Sequence, residues 1–321
     1  MHLDKGPCGG FDCPFTAAPR PPPHWTGILP AGPDPGTPPP AHRLGRHIEV
    51  CVPRPRGAGA VRHALFDFDG TLSLLRGGWQ EVMLAQFVAI LAATGTAEDE
   101  AELSRICRDF IARLTGRQTI YQMLQLEDEV RKRGGSARPA LEYKRQYLDL
   151  LGERIAHRLD AVRTGRRPAA DFLVAGSVDL LEGLRRAGVT CYLASGTDEQ
   201  FVLEESELLG VARYFTSRGE RRIYGAMDDY RSFSKEMVIA RILEEHGLQG
   251  PELIAFGDGF VEIENARSAG GCTVGVASLE SGAEGWDEWK RDRLRQVGAQ
   301  VLVPDWREAE DLLRHFGIGA G

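Results

Sequence analysis

The sequence predicts an α/β fold in which a mostly parallel sheet core, covered by helices on both faces, carries an inserted α-helical cap. Three observations lead there. From Val61 onward, short apolar runs ending at small or polar residues alternate with amphipathic helical stretches, the pattern of parallel strands joined by crossover helices. From about 77 to 165 that rhythm gives way to helix after helix with no convincing strand, more chain than one crossover needs. Fourteen of the eighteen prolines lie within the first 55 residues, so the α/β rhythm starts only after them.

Taken in order, residues 1–60 read as a Pro-rich disordered or extended tail. Pro21-Pro22-Pro23 and Pro38-Pro39-Pro40 sit among Gly, Ala and Thr, with too little apolar surface to offset the entropy of ordering. Partner docking through this tail is its functional alternative. The alternation in His47-Ile48-Glu49-Val50-Cys51-Val52 suggests a short strand leading into the domain. The core then occupies 61–76 and 166–321, and the cap 77–165. Core strands are expected at Ala64–Phe68, Thr190–Ala194, Leu253–Phe256, Cys272–Ala277 and Gln300–Val303. Leu180, Leu181 and Leu184 share a helix face before Gly188, and Val238, Ile239, Ile242 and Leu243 share another before Gly247, each glycine being a stop signal. In the cap, Leu103, Ile106, Cys107, Phe110, Ile111 and Leu114 keep helical spacing, as do Leu148, Leu151, Ile155 and Leu159.

Composition narrows the function. With 42% hydrophobic residues and a formal net charge of -7, the chain can build a core but lacks the basic balance of a general nucleic-acid binder. No apolar run reaches spanning length and Met1–Pro7 has no secretory pattern, so no membrane contact and a cytoplasmic location are expected. The six cysteines are scattered without zinc-ligand spacing, which suggests reduced thiols.

Four segments carry chemistry. Ala64–Phe68 ends in Asp67-Phe68-Asp69-Gly70-Thr71; carboxylates spaced i, i+2 on a strand leave it on the same side, Gly70 permits a sharp turn and Thr71 supplies a hydroxyl. One carboxylate can attack while the other handles a proton, if a metal ion suppresses their repulsion. Ser195-Gly196-Thr197 follows a strand and offers a hydroxyl and backbone N–H groups to phosphate oxygens. Lys235 opens a helix that Ser234 can cap, where charge and helix dipole both favour an anion. Gly257-Asp258-Gly259-Phe260-Val261-Glu262 presents hard oxygen ligands suited to Mg2+.

In this order the four segments resemble the motifs of the haloacid dehalogenase-like superfamily, over about Val61 to Phe316. The resemblance implies a Rossmann-like core and a Mg2+-dependent phosphatase. Asp67 would be the nucleophile that forms an aspartyl-phosphate, and Asp69 the acid that later activates water. Ser195, Gly196, Thr71 and Lys235 would hold the phosphoryl group. Asp67, the main-chain carbonyl of Asp69, and Asp258 would hold Mg2+. Glu262 stands where many relatives carry Asp; it reaches the metal directly, through water, or pairs with Lys235, and Glu264 is a nearby competitor. Replacing Lys235 is expected to cost far more in turnover than in folding.

About 124 residues separate Thr71 from Ser195 and about 40 separate Ser195 from Lys235, which places the cap between the first two motifs. A lid there closes over small molecules, so the expected substrate is a small, phosphosugar-like metabolite. Candidate specificity residues are Arg76, Trp79 and the Arg117-Gln118-Thr119 turn. A phosphomutase, or a non-catalytic binding protein on the same scaffold, is the alternative. Asp69 argues against a dehalogenase. A phosphonate hydrolase would need a Schiff-base lysine, and Lys132 and Lys144 are the cap lysines. Trp286–Arg293 reads as a helix on the sheet edge without a site.

Overall fold

The computed structural model describes residues 42–54, 59–217 and 219–319. The two triple-proline runs, and the docking role considered for them, lie outside these residues. An antiparallel hairpin of β1 (His42–Leu44) and β2 (Ile48–Val50) comes first, followed by β3 (His63–Phe66). Four helices come next: α1 (Trp79–Ala92), α2 (Glu100–Leu114), α3 (Ile120–Lys132) and α4 (Ala140–Arg163). Then follow α5 (Ser177–Arg186), β4 (Thr190–Asp198), α6 (Glu199–Leu208), a two-residue ribbon of β5 (Thr216–Ser217) and β6 (Glu220–Arg221), β7 (Ile223–Ala226) and α7 (Lys235–His246). The chain ends with β8 (Leu253–Gly257), α8 (Val261–Ser268), β9 (Cys272–Val276), α9 (Glu288–Gln296), β10 (Val301–Val303) and α10 (Ala309–His315).

The main sheet runs β1-β2-β10-β9-β8-β3-β4-β7. Its strands from β10 to β7 pair in parallel, and β2 is antiparallel to both β10 and β1. Strand period explains why both faces are covered. Ala64 and Phe66, Cys191 and Leu193, and Ile254 and Phe256 pack into one cluster, while Leu65, Tyr192, Ala194, Leu253 and Ala255 pack into another with Val238, Ile239 and Ile242 of α7. Each such fully buried large apolar side chain contributes about 1.5–3 kcal/mol. Helices α1 to α4 enclose a separate cluster that includes Phe87, Phe110, Met123, Leu126, Tyr143 and Leu151.

The hairpin revises the tail expectation: residues 42–50, counted within it, lie in the main sheet, with Val50 opposite Val301. Its anchor is electrostatic as well as hydrogen-bonded, since buried Glu49 of β2 receives Arg291 and Arg295 of α9. A second difference concerns β4. It continues past Ala194 to Asp198, with a register shift between those residues, so Ser195-Gly196-Thr197 lie on an irregular strand end rather than beyond it. Gly188 and Gly247 follow α5 and α7 with positive φ of 73° and 56°, as stop glycines should. The four described cysteines are free thiols, and no described helix is long and apolar enough to cross a membrane.

Candidate active site

Three adjacent strands bring the site together, because β3 pairs with β4 on one side and β8 on the other. Their carboxyl ends deliver Asp67, Ser195 and Asp258 to one edge of the sheet, where ligands of open α/β sheets bind. Lys235 arrives from the side as the first residue of α7, whose cap is Ser234 accepting from Met237 N–H at 3.1 Å.

Lys235 is the electrostatic centre. Its Nζ lies 2.8 Å from Asp67 Oδ2 and 2.8 Å from Glu262 Oε2, and all three side chains are buried. The other Asp67 oxygen accepts from Phe68 N–H at 2.8 Å. Burial pushes the Asp67 carboxyl well above the usual carboxylate range, with Lys235 opposing and the nearby Glu262 and Asp258 charges reinforcing. Burial also works against the Lys235 charge, but Asp67 and Glu262 together keep its pKa above that of an ordinary lysine. Glu262 has one oxygen on Lys235 and the other on Gly259 N–H at 2.9 Å. Of the roles open to it, pairing with Lys235 is the one seen.

Asp69 sits beside this group. One of its oxygens accepts from Thr197 Oγ1 at 2.7 Å and more weakly from Ser195 Oγ at 3.5 Å. The other is buried with no hydrogen-bond partner among the described residues, and Arg76 Nε lies 4.0 Å from it. Burial raises the Asp69 pKa, and Arg76 opposes that rise. A narrow cleft lined by Asp69, Gly70, Arg76, Trp79 and Glu280 opens here. Thr71, expected to contact phosphate, is instead fully buried, and its hydroxyl accepts from Asp258 N–H at 3.0 Å. It braces two motif segments against each other, since a buried hydroxyl is held where it finds a partner.

Asp67, Asp258 and Glu262 each offer one oxygen within 4.8 Å of the others. Hard, anionic oxygens at that spacing fit a divalent cation such as Mg2+. Gly70 gives the cluster room: with φ of 74°, a Cβ there would fall 2.1 Å from Asp258 Oδ2.

The specificity candidates separate. Arg76 is buried and forks onto Glu205 of α6, with Nη2 to Oε1 at 2.7 Å. The Arg117-Gln118-Thr119 turn reaches the second motif: a Cβ on Gly196 would lie 2.6 Å from the Arg117 carbonyl oxygen, and Gln118 Nε2 donates to Phe233 O at 2.7 Å. Trp79 opens α1 and lines the cleft. Lys144 of α4 is buried against Asp198 at 2.5 Å, whereas Lys132 pairs with Glu129.

Sequence reasoning missed Lys290, Glu280 and Glu205. Lys290 Nζ lies 2.8 Å from Asp258 Oδ2, but in sequence it stands in a run of charged residues that looks like a solvated helix face. Glu205, in Glu204-Glu205, gives no stronger signal.

A family model for haloacid dehalogenase-like hydrolases matches residues 61–270. No curated protein matches the sequence significantly. Among solved structures, a predicted phosphatase from Clostridium acetobutylicum superposes with a TM-score of 0.51 at 18% identity, covering 80% of this chain and 100% of that one. A β-phosphoglucomutase from Clostridium difficile gives 0.52 at 12% identity, with 80% and 97% covered. A predicted phosphoglycolate phosphatase from Haemophilus somnus gives 0.50 at 15%, with 80% and 99% covered. At these identities the likeness is one of fold.

Proposed function

The chain belongs to the haloacid dehalogenase-like hydrolase family, and from that premise we propose that it is a Mg2+-dependent phosphatase acting on a small phosphorylated metabolite through an aspartyl-phosphate. The observation that carries this reading is the buried Lys235 ammonium bound to Asp67, with Asp69 and Asp258 beside it. An attacking carboxylate and a phosphate bearing about -1.5 to -2 charge repel each other, and positive charge held at the site offsets that repulsion.

Asp67 and Asp258 would hold Mg2+, which when bound neutralises charge on the phosphoryl oxygens. Glu262, its oxygens on Lys235 and Gly259 N–H, serves to hold the lysine. The Asp67 carboxylate attacks phosphorus, and the bond from phosphorus to the ester oxygen breaks. Asp69 gives its proton to that oxygen. The Asp69 oxygen that has no hydrogen-bond partner among the described residues would carry that proton, while Thr197 holds the other. The raised Asp69 pKa favours the protonated acid this step needs. Asp69 then takes a proton from water, whose oxygen attacks the aspartyl-phosphate, releasing phosphate and restoring Asp67. Ser195 and the Gly196 backbone would steady the phosphoryl oxygens.

Helices α1 to α4 would form the cap, with the Arg117-Gln118-Thr119 turn touching Gly196. A cap made only of helices suits a small, phosphosugar-like substrate, and a cytoplasmic setting fits such chemistry. The β-phosphoglucomutase among the structural neighbours keeps phosphoryl transfer between sugar positions as the second reading.

The test is phosphate release from a panel of sugar phosphates, nucleotides and small phosphate esters, with Mg2+ or EDTA, for wild type and Asp67→Asn. Metal-dependent release that the substitution abolishes is expected. Isomerisation of a sugar phosphate without release would select the mutase reading, and neither activity from a folded, Mg2+-binding protein would leave a binding role.

A further inference from the structure

Lys290 lies on α9, outside the four segments that carry the chemistry, yet its ammonium is buried against the Asp258 side of the acidic cluster. Nζ is 2.8 Å from Asp258 Oδ2, 3.9 Å from Glu280 Oε1 and 3.3 Å from the Ser278 carbonyl oxygen, and the residue is 3% exposed. Its placement is held from several sides. Asp287 caps the helix by accepting from Lys290 N–H at 3.0 Å. Arg291 and Arg295 fasten the same helix to Glu49. Gly70 leaves the space, since a Cβ there would meet both Asp258 Oδ2 and, at 3.2 Å, Lys290 Nζ.

We propose that Lys290 is a positioning residue of the metal site: it pins one oxygen of Asp258, sets the rotamer that presents the carboxylate, and weakens the grip of the site on a divalent ion. The inference rests on the reading of Asp258 as a metal ligand. Its basis is the local charge balance. The carboxylates of Asp67 and Glu262 face the ammonium group of Lys235, and those of Asp258 and Glu280 face that of Lys290, leaving two negative charges in excess. A bound divalent cation would cancel that excess before a phosphate arrives. Without Lys290 the cluster would grip the cation harder and, once loaded, still meet the phosphate with net negative charge.

Calorimetric titration of Mg2+ into phosphate-free protein tests this, with wild type, Lys290→Met, Lys290→Gln and Lys290→Arg compared. At an effective interior dielectric near about 20, removing an ammonium in contact with a ligand carboxylate is expected to tighten Mg2+ binding by at least about tenfold. Lys290→Gln keeps a donor toward Asp258 and carries the test if the methionine variant does not fold. Lys290→Arg keeps the charge and should bind as wild type does. Unchanged or weaker binding in the neutral variants overturns the inference while leaving the metal site standing, and so does equal tightening in Lys290→Arg. Absence of Mg2+ binding in wild type and every variant overturns both readings.

Discussion

Replacing Lys235 with methionine removes the ammonium that contacts both Asp67 and Glu262 at 2.8 Å while leaving those carboxylates buried. Deleting one partner of a buried ion pair costs about 3–5 kcal/mol, because the remaining charge has neither water nor a counter-ion. Here two carboxylates are stranded, and their closeness lets one proton relieve part of the repulsion, which keeps the cost in that range. In a chain near this size each kcal/mol moves the thermal midpoint by about 2–4 °C, so a fall on the order of 10 °C is expected. Circular dichroism melts in EDTA and in excess Mg2+ check this. The deficit should be largest in EDTA and shrink with Mg2+, which binds the native acidic cluster and stabilises it by mass action. A midpoint in EDTA within about 1 °C of wild type would refute the reasoning, because a stranded buried pair cannot be that cheap. The expectation from sequence, that Lys235 matters far more for turnover than for folding, is modified: its burial ties it to both.

Three further outcomes are expected. Gly70→Ala should lose at least about 2 kcal/mol in urea unfolding, because a Cβ at φ of 74° would sit 2.1 Å from Asp258 Oδ2; a variant as stable as wild type would contradict the packing described. Arg76→Met should destabilise by about 3–5 kcal/mol by stranding buried Glu205, and Arg76→Met with Glu205→Leu should regain much of it in a double-mutant cycle; strict additivity would refute the pairing. Burial, aided by His246 and neighbouring arginines, lowers the His63 pKa to about 4. Between about pH 6.5 and that value the unfolded chain binds a proton that the folded one refuses, so this contribution to stability falls as pH falls, by at most about 1.4 kcal/mol per pH unit. Denaturant unfolding at roughly pH 7 and pH 5 should show a smaller acid loss in His63→Gln than in wild type, and equal losses would rule this out.

Much of the candidate site was legible because the residues that form it are grouped locally in sequence. Asp67 and Asp69 flank one residue, and Ser195, Lys235 and Asp258 each stand at a strand or helix boundary that small residues or caps mark. The central strands were legible for the same reason: β3 after His63 and β8 are continuous apolar runs, as strands buried on both faces tend to be. What escaped lacks such marks. β7 is four residues with Gly225 inside it, and that glycine is there because a Cβ would lie 2.3 Å from Glu199 Cα, not for strand propensity. Of the edge hairpin, the alternation at His47–Val52 marked β2, but its partner β1, three residues at His42–Leu44 beside a Pro-rich stretch, carried no such pattern. Lys290, Glu205 and Glu280 act through contacts far away in sequence, and a lone charge on a helix carries no sign of the partner that will bury it.

The antiparallel hairpin at the sheet edge is also tied to the acidic cluster through α9. Glu49 is clamped by Arg291 and Arg295, and Lys290, adjacent to one of those arginines, touches Asp258. β2 and the acidic cluster are therefore both tied to the same short helix. A chain that begins at residue 42 keeps Glu49 and its two arginine contacts, whereas one that begins after residue 50 lacks them. The starting residue of any truncated form therefore decides whether α9 keeps this anchor.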